Sequence, residues 1–88
     1  MSYQLKITTQ AQNDINIHKK AGNKIILKKI ETLLFEIIEH PFTGSGKPEP
    51  LKHNLTGFWS RRINQEHRLI YEVIEPNVVV ISAFGHYE

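Results

Sequence analysis

Residues 41–50 read PFTGSGKPEP, and this tract divides the chain into two halves that must fold differently. Three prolines and two glycines in ten residues can neither continue a helix nor lie inside a central strand. The tract is therefore expected to be a loop, and it carries one conspicuous acid, Glu49. Before it, the apolar spacing is helical. Ile26, Ile30, Leu33 and Ile37 form one stripe, widened by Leu27, Leu34 and Ile38, with Lys24, Lys28, Glu31 and Glu39 on the other face. Pro41 disfavours helical geometry at His40 and ends this helix. A shorter helix precedes it: Thr9-Gln10-Ala11-Gln12 has the form of a capping box, Ala11, Ile15 and His18 follow at helical spacing, and Gly22 suits a left-handed C′ position. Tyr3, Leu5 and Ile7 alternate with Gln4, Lys6 and Thr8, which is the period of a half-buried strand.

After the tract the pattern changes. Three apolar runs, residues 58–63, 67–74 and 78–84, are separated by Asn64-Gln65-Glu66 and Glu75-Pro76-Asn77, connections short enough to join antiparallel neighbours. The expected order is β-α-α-β-β-β. This is an α+β domain over residues 1–88, with two helices packed on one face of a mainly antiparallel, twisted sheet and the other face at least partly open. A chain of 88 residues has room for one domain with a modest core. It has no cysteine, which excludes a disulfide framework and a cysteine-based zinc site. No segment approaches the ~18 uninterrupted apolar residues of a membrane span, and MSYQLKITTQ lacks the apolar core of a signal peptide, so a cytoplasmic protein is expected.

The formal net charge of +2 is too small to announce a nucleic-acid partner, but the cations are unevenly placed. Lys47, Lys52, Arg61, Arg62 and Arg68 gather with His53 and His67, opposed only by Glu49 and Glu66. Such a cluster suits a phosphate backbone, and a solvated strand pair is the plainer account. His18, His40, His53, His67 and His86 show no close metal-ligand spacing such as H-x3-H, so no metal is expected. Phe58 and Trp59 are of the type that stacks on splayed RNA bases, although an aromatic pair at a strand start is more often core or interface.

The stretch GSGKPEPLKHNLTGFWSRRINQEHRLIYEV, residues 44–73, resembles the YoeB toxins of the RelE/ParE superfamily, and the ending Gly85-His86-Tyr87 resembles their terminal His-Tyr. The resemblance implies a RelE-like fold and the toxin role of a type II toxin–antitoxin system. It further implies a ribosome-dependent endoribonuclease that cuts messenger RNA in the A site without a cofactor. The implied partners are a YefM-type antitoxin, the 70S ribosome with its message, and a second copy in a homodimer. It assigns Glu49 as general base, Arg68 as the phosphate-stabilising arginine, His86 as general acid and Tyr87 as the tyrosine beside it. Lys52 and Arg62 match supporting basic residues, and Lys47 and Arg61 join them in the cluster expected to face RNA. One departure is Glu88, which follows Tyr87 where the family typically ends; an added carboxylate there is expected either to weaken the pull on RNA phosphate or to alter the pKa of His86.

Metal-free cleavage of RNA needs a base for the 2′-hydroxyl proton, an acid for the departing 5′-oxygen and cations for the charged phosphorane. Glu49, His86 and Arg68 supply that set. Each also has a plainer reading: Glu49 as a solvated loop acid, Arg68 in a strand-end ion pair with Glu66 or Glu72, His86 as an idle terminal side chain. A glutamate ordinarily titrates near about 4.3, low for a base at neutral pH, so orienting the 2′-hydroxyl is an alternative role for Glu49. Two other functions compete. One is a non-hydrolytic toxin of the same fold that binds gyrase, as ParE proteins do; the other is a plain RNA- or ribosome-binding module. The joint presence of Glu49, Arg68 and His86-Tyr87 favours the nuclease.

Overall fold

The computed structural model describes residues 2–85. Its longer helix, α2 (Lys24–Glu39), starts where the Asn23 side chain accepts from the Ile26 N–H, and it buries Ile26, Ile30, Leu33 and Ile37 along the expected stripe. His40 still donates its N–H to the Glu36 carbonyl, and Pro41 follows. The shorter helix, α1 (Thr9–Lys20), begins one residue earlier than the capping-box pattern indicates. Thr8 is the cap: its backbone is extended and its hydroxyl accepts from the Ala11 N–H at 3.1 Å. Gln12 donates its side-chain amide forward to Asn16 instead of back to Thr9. Gly22 has the expected left-handed φ of 69°, and its N–H and that of Asn23 cap the carbonyls of Lys19 and His18.

The sheet contains β1 (Gln4–Ile7), β2 (Glu49–Pro50), β3 (Phe58–Arg62), β4 (Arg68–Ile74) and β5 (Asn77–Ser82), in the order β1-β5-β4-β3-β2. The β1–β5 pair is parallel and the other three are antiparallel. Both helices lie on one face. There Leu69, Tyr71, Val78 and Val80 of the sheet close against Ala11, Ile26, Ile30, Leu33 and Ile37. Each fully buried aliphatic side chain contributes roughly 1.5–3 kcal/mol, and the alternation of β4 and β5 supplies them from every second residue. No helix among the described residues is long and apolar enough to cross a membrane.

The expected loop over residues 41–50 needs one correction. Its last two residues form β2, paired with β3 through Glu49 opposite Ser60 and Pro50 opposite Trp59. A strand containing proline is tolerated there because β2 is the sheet edge, where a missing N–H leaves no partner unsatisfied. A 3₁₀ turn at His53–Leu55 then returns the chain to β3.

Candidate nucleic-acid interface

Residues directly opposite one another in an antiparallel pair share a face. Arg62 stands opposite Arg68, Ser60 opposite Ile70, and Glu49 opposite Ser60. Their neighbours Arg61, Leu69 and Tyr71 point to the helices, so Glu49, Arg62 and Arg68 lie together on the face the helices leave uncovered. Glu49 and Arg62 are exposed and Arg68 is half-buried. Like charges directly opposite one another destabilise a strand pair. Among the described residues no carboxylate lies within ion-pair distance of either arginine, and the strand-end ion pair of Arg68 with Glu66 or Glu72 is not formed. Two adjacent guanidiniums, neither within ion-pair distance of a carboxylate among the described residues, make a place suited to an anion.

Lys47 and Lys52 are both exposed, and Lys47 extends this positive surface from Arg62. Lys47 has a positive φ of 51°, an uncommon conformation for a residue with a Cβ. It lines a groove of about 390 Å³ with Arg62, Asn64, Gln65 and Lys29 of α2. Lys29 escaped notice in the sequence because it lies far from the cluster along the chain; only the fold brings it alongside. Trp59 takes its structural reading. It packs against the core and lies 5.0 Å from the ring of Phe42.

Arg61, expected in the same cluster, does not lie with these exposed cations. It is fully buried, and its guanidinium is occupied by the loop after α2. Nε donates to the Tyr71 hydroxyl at 3.1 Å, Nη1 to the Ser45 carbonyl at 3.3 Å and the Glu36 carboxylate at 3.4 Å, and Nη2 to the carbonyls of Thr43 (2.7 Å) and His40. The Tyr71 hydroxyl in turn donates to the Pro41 carbonyl at 2.6 Å. Glu36 accepts from the Ser45 hydroxyl at 2.6 Å and the Ser45 N–H at 2.8 Å. These bonds from Ser45, with help from the Arg61 charge, hold the Glu36 carboxyl below its usual range. Burial pushes the Tyr71 phenol up, against the pull of Arg61.

This anchorage aims the start of the site. The Arg62 N–H donates to the Gly46 carbonyl at 2.6 Å, and a Cβ on Gly46 would stand 2.9 Å from the Arg62 carbonyl oxygen. Only glycine allows so close an approach, and it fixes where Lys47 and, two residues on, β2 with Glu49 begin. Neither Glu36 nor Tyr71 was marked by the sequence. Glu36 reads as a polar-face helix residue and Tyr71 as an ordinary strand aromatic.

At the other side of the site, the Arg68 N–H donates to the Gly85 carbonyl at 2.8 Å, and the Gly85 N–H donates to His67 Nδ1 at 2.8 Å. The chain that continues to His86 is thus tied to the backbone of Arg68. His86, Tyr87 and Glu88 lie outside the described residues. Among the described residues no group of three His, Asp or Glu side chains is arranged to hold a metal.

A family profile for the YoeB-like toxin of bacterial type II toxin–antitoxin systems matches residues 7–87. The chain belongs to this family. It is 52% identical over 74 residues to Toxin YoeB of Escherichia coli (strain K12), covering 84% of this chain and 88% of that one. With Toxin YoeB of Synechocystis it shares 52% identity over 67 residues, 76% of this chain and 78% of the relative. Among solved structures, a YoeB/ParE toxin from Agrobacterium tumefaciens superposes with a TM-score of 0.90 at 36% identity, covering 96% of this chain and 99% of the other. The YoeB dimer from Staphylococcus aureus superposes at 0.87 with 40% identity, covering 99% and 100%. A YoeB–YefM complex from Staphylococcus aureus superposes at 0.84 with 41% identity and the same coverage. Membership of the YoeB family makes this chain a bacterial toxin of the type II class and accounts for its RelE-like fold.

Proposed function

We propose that this YoeB-family toxin is a ribosome-dependent endoribonuclease of the bacterial cytoplasm that cuts messenger RNA in the ribosomal A site. The carrying observation is the Arg62–Arg68 pair: two cations, with no ion pair among the described residues, stand opposite each other on the side of the sheet the helices leave uncovered, with Glu49 on the same face and the chain to His86 tied to Arg68. In this reading Glu49 takes or orients the 2′-hydroxyl proton while the 2′-oxygen forms its bond to phosphorus. Arg68 stabilises the charge on the pentacovalent phosphate, and the bond from phosphorus to the 5′-oxygen breaks as His86 protonates that oxygen. Tyr87 completes the catalytic set. Lys47, Lys52 and Arg62 hold ribosomal and messenger phosphates, and Arg61 holds the loop that presents Lys47.

A YefM-type antitoxin is the corresponding protein partner, and self-association into a homodimer is the corresponding oligomeric state. Apolar surface for such contacts is present. Ile25 is 84% and Phe35 67% exposed on α2, and Phe35 borders an open groove with Leu5, Ile15, Leu34 and Ile38.

The test incubates the protein with ribosomes programmed with a defined message and maps the new 5′ ends. Cuts confined to the A-site codon are expected. An intact message with gyrase arrest would assign the protein to the ParE-like binders, and ribosome binding without a cut would make it a binding module; either contradicts the nuclease reading.

A further inference from the structure

The two buried polar side chains of α1 converge on the backbone of a single residue beyond β5. Asp14 is 4% exposed and His18 3% exposed, one helical turn apart on the buried side. Asp14 Oδ2 accepts from the Ala83 N–H at 2.9 Å, and Oδ1 accepts from the Gln10 side-chain amide at 2.8 Å. His18 Nε2 donates to the Ala83 carbonyl at 2.9 Å. Two residues further on, the Gly85 carbonyl accepts from the Arg68 N–H, and the Gly85 N–H donates to His67 Nδ1. The rings close the arrangement: His18 meets His67 edge-on at 4.7 Å, and Phe84 lies tilted at 5.2 Å from His18 and 4.7 Å from His67.

This arrangement is more than α1 needs to cover the sheet. An apolar side chain at position 14 would serve that end without desolvating a carboxylate, which among the described residues has no cation beside it. The sheet itself changes register here. Tyr71 pairs with Val80 but Ile70 with Ser82, so β5 carries one extra residue, and the burial that falls on Val78 and Val80 resumes at Ala83. Bulges of this kind re-aim a strand beside a functional site. Gly85 takes a left-handed φ of 74°, where a Cβ would be strained although it would meet no atom within 4 Å.

We propose that Asp14 and His18 are positioning residues. Together with His67 they clamp residues 83–85 and set the direction in which the chain delivers His86 to the phosphate held by Arg68. The role rests on the nuclease reading above, since its purpose is to place the general acid. An acid displaced by an ångström loses on the order of a hundredfold in rate while the surfaces that bind substrate stay intact.

The test compares the full-length parent with Asp14→Ala, Asp14→Asn and His18→Phe. Asn keeps an oxygen acceptor for Ala83, and Phe keeps a ring against His67 and Phe84 while removing only the donor. Expected is a fall of at least about tenfold in single-turnover cleavage on saturating ribosomes for Asp14→Ala and His18→Phe, with ribosome affinity within about twofold and cleavage largely restored in Asp14→Asn. Backbone ¹⁵N–¹H NOE values at Ala83 and Gly85 should drop in the two impaired variants while those of α1 and β4 hold. Should Asp14→Ala not fold, His18→Phe decides. Cleavage by His18→Phe within twofold of the parent, or a cleavage loss matched by an equal loss of affinity, overturns the proposal. If the parent itself cuts no message, the nuclease reading fails first. The NOE values then judge the clamp separately, and unchanged values in both variants overturn it.

Discussion

Arg61 and Arg62 are neighbours in β3, yet they belong to regions with opposite physics. Arg61 points to the helix-covered face, where it is fully buried and each of its guanidinium nitrogens has an acceptor. Arg62 points to the open face, where it is exposed beside Arg68 with no acid in ion-pair distance among the described residues. The same side chain is a bolt for the loop on one face and a solvent-facing charge on the other. Local charge density does not assign the role of a cation; the two-residue period of the strand does.

The contrast is sharpest in stability. Arg61→Met should cost about 3–5 kcal/mol, because it leaves the Glu36 carboxylate and the carbonyls of His40, Thr43 and Ser45 without their buried donor. For a domain of this size that is a drop in melting temperature of at least about 12 °C. Urea denaturation of the variant measures it, and a loss below about 1 kcal/mol would mean the bolt is decorative.

A smaller effect should appear with pH. The folded state holds the Glu36 carboxyl below its usual range, so the unfolded chain takes up its proton first on acidification. The stabilisation from Glu36 is therefore present at neutral pH and is lost as pH falls through the ordinary carboxylate range and then through the depressed folded value. The difference in melting temperature between the parent and Glu36→Gln should shrink from about pH 7 to about pH 3. A difference that widens on acidification would reverse the sign and break the account of this network.

On the open face the expected change in stability is the smallest. Arg62→Met should shift unfolding by no more than about 0.5 kcal/mol, or stabilise slightly by removing a like-charge pair. It should instead weaken ribosome association and reduce the salt dependence of that association by about one phosphate contact, measured as the slope of log affinity against log salt. A stability loss equal to that of Arg61→Met would erase the distinction between the two faces.

Much of this was legible in the sequence because periodicity reports burial. The stripe from Ile26 to Ile37, the three apolar runs and the breaker tract gave the helices, the hairpin strands and the open face. The family motif named Glu49 and Arg68, which the register does bring to one face. Long-range polar contacts leave no such trace. Arg61 looked like one more cation of a basic run because its acceptors are backbone carbonyls, which every sequence has. The bond from Arg68 to Gly85 is likewise between backbone groups. Asp14 and His18 did leave a faint signal, an acid and a histidine at i and i+4 where apolar residues belong, but only the fold shows that they meet Ala83.

The central claim is that the charge on the open face serves chemistry, and Arg68→Lys tests it most directly. A guanidinium grips two phosphate oxygens through a rigid fork, whereas an ammonium offers one mobile charge. Single-turnover cleavage of an A-site codon should be measured on saturating ribosomes beside a thermal melt. Arg68→Lys is expected to keep the melt and ribosome binding of the parent and to lose most cleavage, because the fork matters only where charge develops on the phosphate. Unimpaired cleavage by Arg68→Lys, with the melt unchanged, would contradict the claim and return Arg68 to ordinary surface.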